Sequence, residues 1–138
     1  MRFVDTNVLL YAASTDPRET KKARTALALL DATDLALSVQ VLQEFFVQAT
    51  RASRADRLSH AQAAGLVEAF LRFPVQDMTP ALMRDAIAIC ERHRLSYWDA
   101  AILAGARALG CDVVLSEDLA HGRSYDGVRV ENPFRARA

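Results

Sequence analysis

Short apolar stretches alternate along the chain with longer segments in which apolar residues return every three or four positions, the signature of strands followed by helices. Arg2 to Val4 forms a short β-like start that ends at Asp5. Asp16-Pro17-Arg18-Glu19 supplies an N-cap, a proline at the first helical position and an acid at the third, opening a helix to about Leu30 with Ala23, Ala26, Leu27 and Leu30 on its inner stripe. Leu35 to Ser38 reads as a second buried strand. Val39, Leu42, Phe45, Phe46 and Ala49 then recur at helical spacing, and Ser59 with Gln62 forms a capping box before Ala63, Leu66, Val67 and Phe70, so two helices follow that strand.

An extended piece around Phe73 to Val75 leads to Thr79-Pro80, a cap with proline in the first turn, and to a helix with Leu82, Ala86 and Ile89 on one face. Ser96 caps the next helix, which carries Ala100, Leu103, Ala104 and Arg107 and stops at Gly110, where a left-handed residue costs little. Val113-Val114-Leu115 is a continuous apolar run before the polar Ser116-Glu117-Asp118, as in a buried central strand. Val128 to Val130 supplies a last edge strand. Strands separated by helices pair in parallel through crossovers, which predicts an α/β sandwich with helices on both faces of a mainly parallel sheet.

Composition narrows this picture. A chain of 138 residues, 51% hydrophobic with five glycines and four prolines, suits one globular domain. Polar residues interrupt every apolar stretch before the roughly 18 positions a membrane helix needs, and MRFVDTN lacks the apolar core of a secretory signal. The expected compartment is therefore the cytoplasm, with Cys90 and Cys111 as buried thiols. Formal charge is zero, so any contact with nucleic acid is local rather than driven by a general basic field. The cations are fifteen arginines and only two lysines, Lys21 and Lys22.

In open parallel sheets, functional groups gather beyond the carboxyl ends of the strands. Five acids are candidates for that edge: Asp5, Glu44, Asp99, Glu117 and Asp118. Converging carboxylates repel one another unless a cation neutralises them, and oxygen ligands without histidine or cysteine select Mg²⁺ or Mn²⁺ over zinc. Each acid also has a plainer role. Asp5 caps a turn through Thr6 and Asn7, Asp99 completes a capping box with Ser96, and Glu117-Asp118 starts a turn. Glu44 shares a stripe with Gln40, Gln48 and Arg51 that looks like a solvated helix face. Arg51, Arg54 and Arg57, recurring every third residue, suit a phosphate backbone or simply face water. Tyr97-Trp98 suits base stacking or core packing, and His60, His93 and His121 read as surface residues.

Four segments, FVDTNVLLYA, SVQVLQEFF, LSYWDAAILAGA and VVLSEDLAHG, carry a resemblance to the PIN-domain nucleases and, within them, to the VapC-type toxins of toxin-antitoxin pairs. The resemblance implies a PIN-like sandwich over residues 1–138, with a central parallel sheet of about four to five strands. It implies a catalytic set of Asp5, Glu44, Asp99 and Asp118, with Asp5, Asp99 and Asp118 on the metal and Thr6, Asn7, Ser116 and Glu117 in support. Glu117 leaves the choice of the final acid open. The implied activity is Mg²⁺-dependent endoribonuclease cleavage by a metal-activated water, with Mn²⁺ as a substitute. Implied partners are RNA, which Arg51 and Arg54 would contact, a small cognate antitoxin and a second copy of the chain, with no membrane.

Two phosphoryl-transfer classes that also place an acid after the first strand, the haloacid-dehalogenase phosphatases and receiver domains, need a downstream lysine. This chain has none after Lys22. A silent PIN-like binding module would be expected to lose these acids first. An RNA-maturation nuclease of the same fold is the remaining alternative.

Overall fold

The computed structural model describes residues 1–135. Its strands are β1 (Arg2–Val4), β2 (Leu35–Ser38), β3 (Val75–Gln76), β4 (Val113–Leu115), β5 (Ser124–Tyr125) and β6 (Val128–Glu131). The helices are α1 (Thr6–Ala13), α2 (Thr20–Leu30), α3 (Val39–Ala49), α4 (His60–Phe70), α5 (Pro80–His93) and α6 (Tyr97–Ala108), with one 3₁₀ turn at Pro17–Glu19. The strands form one six-stranded sheet in the order β3-β2-β1-β4-β6-β5. All pairs are parallel except β5 with β6.

The chain leaves β1 towards β2 and β3 on one side, then returns across the sheet to β4 on the other. Right-handed crossovers running in opposite directions put their helices on opposite faces. Accordingly α1 packs on α2 and α3, and α3 on α4, while α5 and α6 pack together as a separate pair. Between β1 and β4 the strand order reverses, which opens a crevice beyond their carboxyl ends. β1 and β2 are buried almost throughout, with Phe3 and Ala36 at 0% exposure. Gly105 of α6 lets that helix lie against the sheet: a Cβ there would stand 3.4 Å from the Phe3 ring.

The fold class expected from the pattern holds, and the departures are local. The strand beyond those expected is β5, so that β5 rather than Val128 to Val130 forms this edge of the sheet; it pairs with β6 across the two-residue turn Asp126-Gly127, with φ of 51° and 89°. This is the geometry that an Asp-Gly pair favours in a hairpin turn. Helix α1 replaces the turn expected after Asp5, because the buried Val8, Leu9 and Leu10 hold one side of it against the sheet and α2. On α2, Ala23, Ala26 and Leu30 are buried but Leu27 is 54% exposed; the arc covered by α1 is narrower than the apolar stripe. The capping box of Ser59 with Gln62 and the cap at Thr79 form as expected. Cys111 is buried and Cys90 half-buried, its thiol directed at the carbonyl of Leu95.

Candidate active site

The registered pair Val4 and Leu115 ends β1 and β4 side by side. The ladder continues one step further, with the Asp5 amide donating to the Leu115 carbonyl at 3.0 Å, so the residues following each strand must meet. The Ser116 hydroxyl donates to Asp5 Oδ2 at 2.7 Å, and Asp5 Oδ1 accepts the Thr6 amide at 2.7 Å. Asp5 is therefore both the N-cap of α1 and the centre of a polar network, and its two readings are compatible.

Asn7, in the first turn of α1, joins the two loops. Its Nδ2 lies 3.4 Å from Asp5 Oδ2 and 3.2 Å from Asp118 Oδ2, while its Oδ1 accepts the Glu117 amide at 3.1 Å. Ser116 Oγ in turn accepts the Asp118 and Leu119 amides. On the other side, the Thr6 hydroxyl donates to Glu44 Oε2 at 2.8 Å, and Gln40 Nε2 donates to Glu44 Oε1 at 3.0 Å.

Burial is the main force on the Asp5 carboxyl and pushes its pKa up to about 6. The bonds from Ser116 and Thr6 oppose that shift, and the negative charges of Asp118 and Glu44 add to it. A carboxylate held in such surroundings is a place where a cation is favoured.

The structure thus brings together Asp5, Thr6, Asn7, Glu44, Ser116 and Asp118. Asp99 stands in the first turn of α6, its amide capped by Ser96 Oγ. It is linked to the others only through its neighbour: the Trp98 carbonyl accepts from the same Gln40 Nε2 that holds Glu44. Among the described residues, no group of three or more histidine, cysteine, aspartate or glutamate side chains is gathered at metal-holding spacing. The donor set is nonetheless of one kind, carboxylate and hydroxyl oxygen, and it fits a hard divalent ion rather than a soft one.

The two final acids separate cleanly. Glu117 turns away from the network to Lys22 Nζ at 2.7 Å and to the Tyr11 hydroxyl, while Asp118 stays exposed beside Asn7. Burial alone would raise the Glu117 carboxyl, but the bonds from Lys22 and Tyr11 outweigh it and hold the pKa below the usual value. Such a group stabilises the fold above the unfolded-state pKa, and the contribution disappears as pH falls through the lowered folded-state value. Glu117→Gln is therefore expected to cost up to about 1 kcal/mol at pH 7 for this half-exposed pair. Urea unfolding should show the deficit shrinking in acid, and a deficit independent of pH would mean that the ion pair is not its source.

Two expectations about α3 and the loop after it change. Gln40 is 3% exposed, so the stripe it shares with Glu44 is not solvated at its start: Gln40 donates to the Trp98 carbonyl at the beginning of α6. Arg54 points at Asp56, 3.1 Å away, and Glu19. These contacts, with the bonds from Ser14 and Thr15 to Asp56, tie the loop after α3 to the loop after α1 rather than presenting Arg54 to a phosphate. Arg51 remains exposed. Tyr11, Lys22 and Gln40 were missed as site residues; only Gln40 left a signal, its spacing of four from Glu44 on one helix.

Fold and site together define an α/β protein with a carboxylate-centred polar network at the switch point of its sheet. Residues 2–125 match the family model of the PIN domain, and the chain belongs to the PIN domain family. No curated protein sequence matches it. Among solved structures it is similar to a toxin-antitoxin complex from Klebsiella pneumoniae, with TM-score 0.73, 20% identity and coverage of 99% of this chain and 100% of that one. It is also similar to VapC20 of Mycobacterium tuberculosis, a sarcin-ricin loop cleaving toxin, with TM-score 0.65, 22% identity and coverage of 86% and 90%. A third is DNA-bound VapBC from Salmonella typhimurium, with TM-score 0.66, 20% identity and coverage of 96% and 97%. At these identities the likeness is one of fold.

Proposed function

We propose that the chain is a divalent-metal-dependent endoribonuclease and the toxin of a toxin-antitoxin pair. The observation that carries the reading is the convergence of Asp5, Asp118 and Glu44 on the Thr6, Asn7 and Ser116 scaffold at the switch point. Asp5, Asp118 and Asp99 would hold Mg²⁺ or Mn²⁺, with Glu44 as the fourth acid. When bound, the ion supplies positive charge against the phosphate oxygens and makes a water more acidic.

The remaining work belongs to side chains of this chain. Ser116 and the Thr6 amide fix both oxygens of Asp5 in one orientation, so the carboxylate does not reorganise as charge develops. Asn7 sets the spacing between Asp5 and Asp118 by contacting both. Thr6 and Gln40 each donate to one oxygen of Glu44, leaving its remaining lone pairs free to accept a proton or a water. Asp118, which has no ion pair among the described residues, is the final acid of the set, with Glu117 in a supporting role.

Two solved structures of similar fold are described as a toxin and a toxin-antitoxin complex, which favours a toxin over an RNA-maturation enzyme. The chain is expected to act in the cytoplasm as a homodimer held in check by a small antitoxin. The purified protein should cut single-stranded RNA in Mg²⁺, and co-expression with the product of an adjacent short reading frame should yield a complex in which cutting stops. An intact RNA substrate after prolonged incubation in Mg²⁺ would sink the nuclease reading. Cutting that no neighbouring product suppresses would sink the toxin reading alone.

A further inference from the structure

Glu44 borders a second feature, a cleft of about 400 Å³, within the range of small-ligand pockets. Its other walls are Gln40, Gln43, Val47 and Gln48 from α3, Arg51 just beyond its end, and Trp98 from α6. Trp98 is 62% exposed, an unusual position for a side chain whose indole gains so much from burial. Tyr97 meets it edge-on, with ring centroids 5.0 Å apart and planes at 79°, so the indole is braced on one side. Gln40 joins cleft and acidic site. One nitrogen donates to both Glu44 and the Trp98 carbonyl, and its buried Oε1 has no hydrogen-bond partner among the described residues.

An exposed aromatic face, amide side chains and a guanidinium are what a single-stranded nucleotide needs: a surface for the base, donors and acceptors for its edge, and a cation for phosphate. A protein helix with an apolar stripe would find a better seat in the neighbouring groove lined by Val39, Leu42, Phe46, Val67 and Leu71, which offers no such set.

We infer that the Trp98 cleft seats a nucleotide of single-stranded RNA next to the bond cut at the acidic site. The base stacks on the Trp98 indole, the Gln43 and Gln48 amides meet its hydrogen-bonding edge, and Arg51 contacts a phosphate. This rests on reading the acidic site as an RNA-cleaving centre. Gln40 is a positioning residue, since one amide nitrogen fixes both the Glu44 carboxylate and the backbone beneath the stacking surface.

Trp98 is the sole tryptophan of the chain, so intrinsic emission reports on the cleft alone. Titrating the wild-type protein in EDTA with a short single-stranded oligoribonucleotide is expected to quench that emission saturably, and duplex RNA of the same sequence much less. With metal present, Trp98→Leu is expected to raise KM for single-stranded RNA by about fivefold or more with kcat nearly unchanged, and Trp98→Phe to recover most of the loss. Arg51→Ala is expected to weaken binding and to flatten its log–log salt dependence by about 0.7. Both side chains replaced are exposed, so unchanged melting curves serve as the check on folding. Emission that ignores single-stranded RNA, or that responds equally to duplex, overturns the assignment whatever the cleavage assay shows. Emission that responds only to a co-purifying protein does the same and makes the cleft a protein-docking surface. Saturable quenching by a protein that never cleaves RNA supports the base seat and overturns the nuclease reading instead.

Discussion

Asp5→Asn is expected to lower RNA cleavage by about 100-fold or more while making the metal-free protein more stable, not less. The loss follows from the place of Asp5 at the centre of the network: removing a single preorganised charge-stabilising group typically costs two to three orders of magnitude in rate. The gain in stability follows from burial. Burial holds the Asp5 carboxyl up at about 6 in the folded protein against an ordinary 3.8, so between those values the folded state binds more protons than the unfolded state. The stability of the wild type therefore falls as pH rises from about 4 to about 6 and stays low above that range. Asparagine has no charge to bury. Its advantage should be absent near pH 4 and reach roughly 3 kcal/mol above pH 6, enough to raise the melting temperature by several degrees. Denaturant unfolding at pH 4 and pH 7.5, in EDTA, measures it. A variant that is less stable at pH 7.5 would show that Asp5 is held chiefly by its hydrogen bonds rather than strained by its charge.

Chelation is expected to have the largest effect of all, bringing cleavage to background, with Mn²⁺ restoring it. Without a cation the acidic site must hold Asp5 against the charges of Asp118 and Glu44, and no described lysine or arginine is paired with any of the three. A divalent ion relieves that repulsion in the folded state only, so it should also raise the melting temperature, by an amount equivalent to about 2.7 kcal/mol at a hundred times its dissociation constant. The shift gives a readout separate from activity. It should be lost in Asp5→Asn and kept in Glu117→Gln, because Glu117 is engaged with Lys22 and Tyr11. Cleavage at full rate in EDTA, or an equal Mg²⁺ shift in Asp5→Asn, would place the metal elsewhere or remove it from the chemistry.

Much of this was legible along the chain. The edge of the site could be read because it depends on where strands stop: Val4 and Leu115 are each followed by polar residues, and the apolar runs before them are short and continuous. The caps at Ser59, Thr79 and Ser96 were readable because capping is local. What escaped needed contacts between residues far apart. The division of labour between Glu117 and Asp118 is set by Lys22, 95 residues away from Glu117. Gln40 and Glu44 looked solvated because periodicity reports which residues share a face and not what lies opposite it, here the start of α6. Helix α1 was hidden by Thr6 and Asn7, which favour turns until packing of Val8 to Leu10 decides otherwise. The hairpin turn at Asp126-Gly127 is the one local signal that went unread.

The bond from Ser116 to Asp5 spans 111 residues of sequence. Ribosomes deliver Asp5 well before Ser116, and segments made earlier begin to fold first. Until Ser116, Glu117 and Asp118 have emerged, Asp5 lacks the hydroxyl that orients it, and Asn7 has only Asp5 of the two carboxylates that it bridges. A nascent chain therefore carries an unassembled centre while the 111 residues from Asp5 to Ser116 are made. For a protein that would cleave RNA, this order of events would spare the message from which it is being made, with no inhibitor needed until that later segment has emerged.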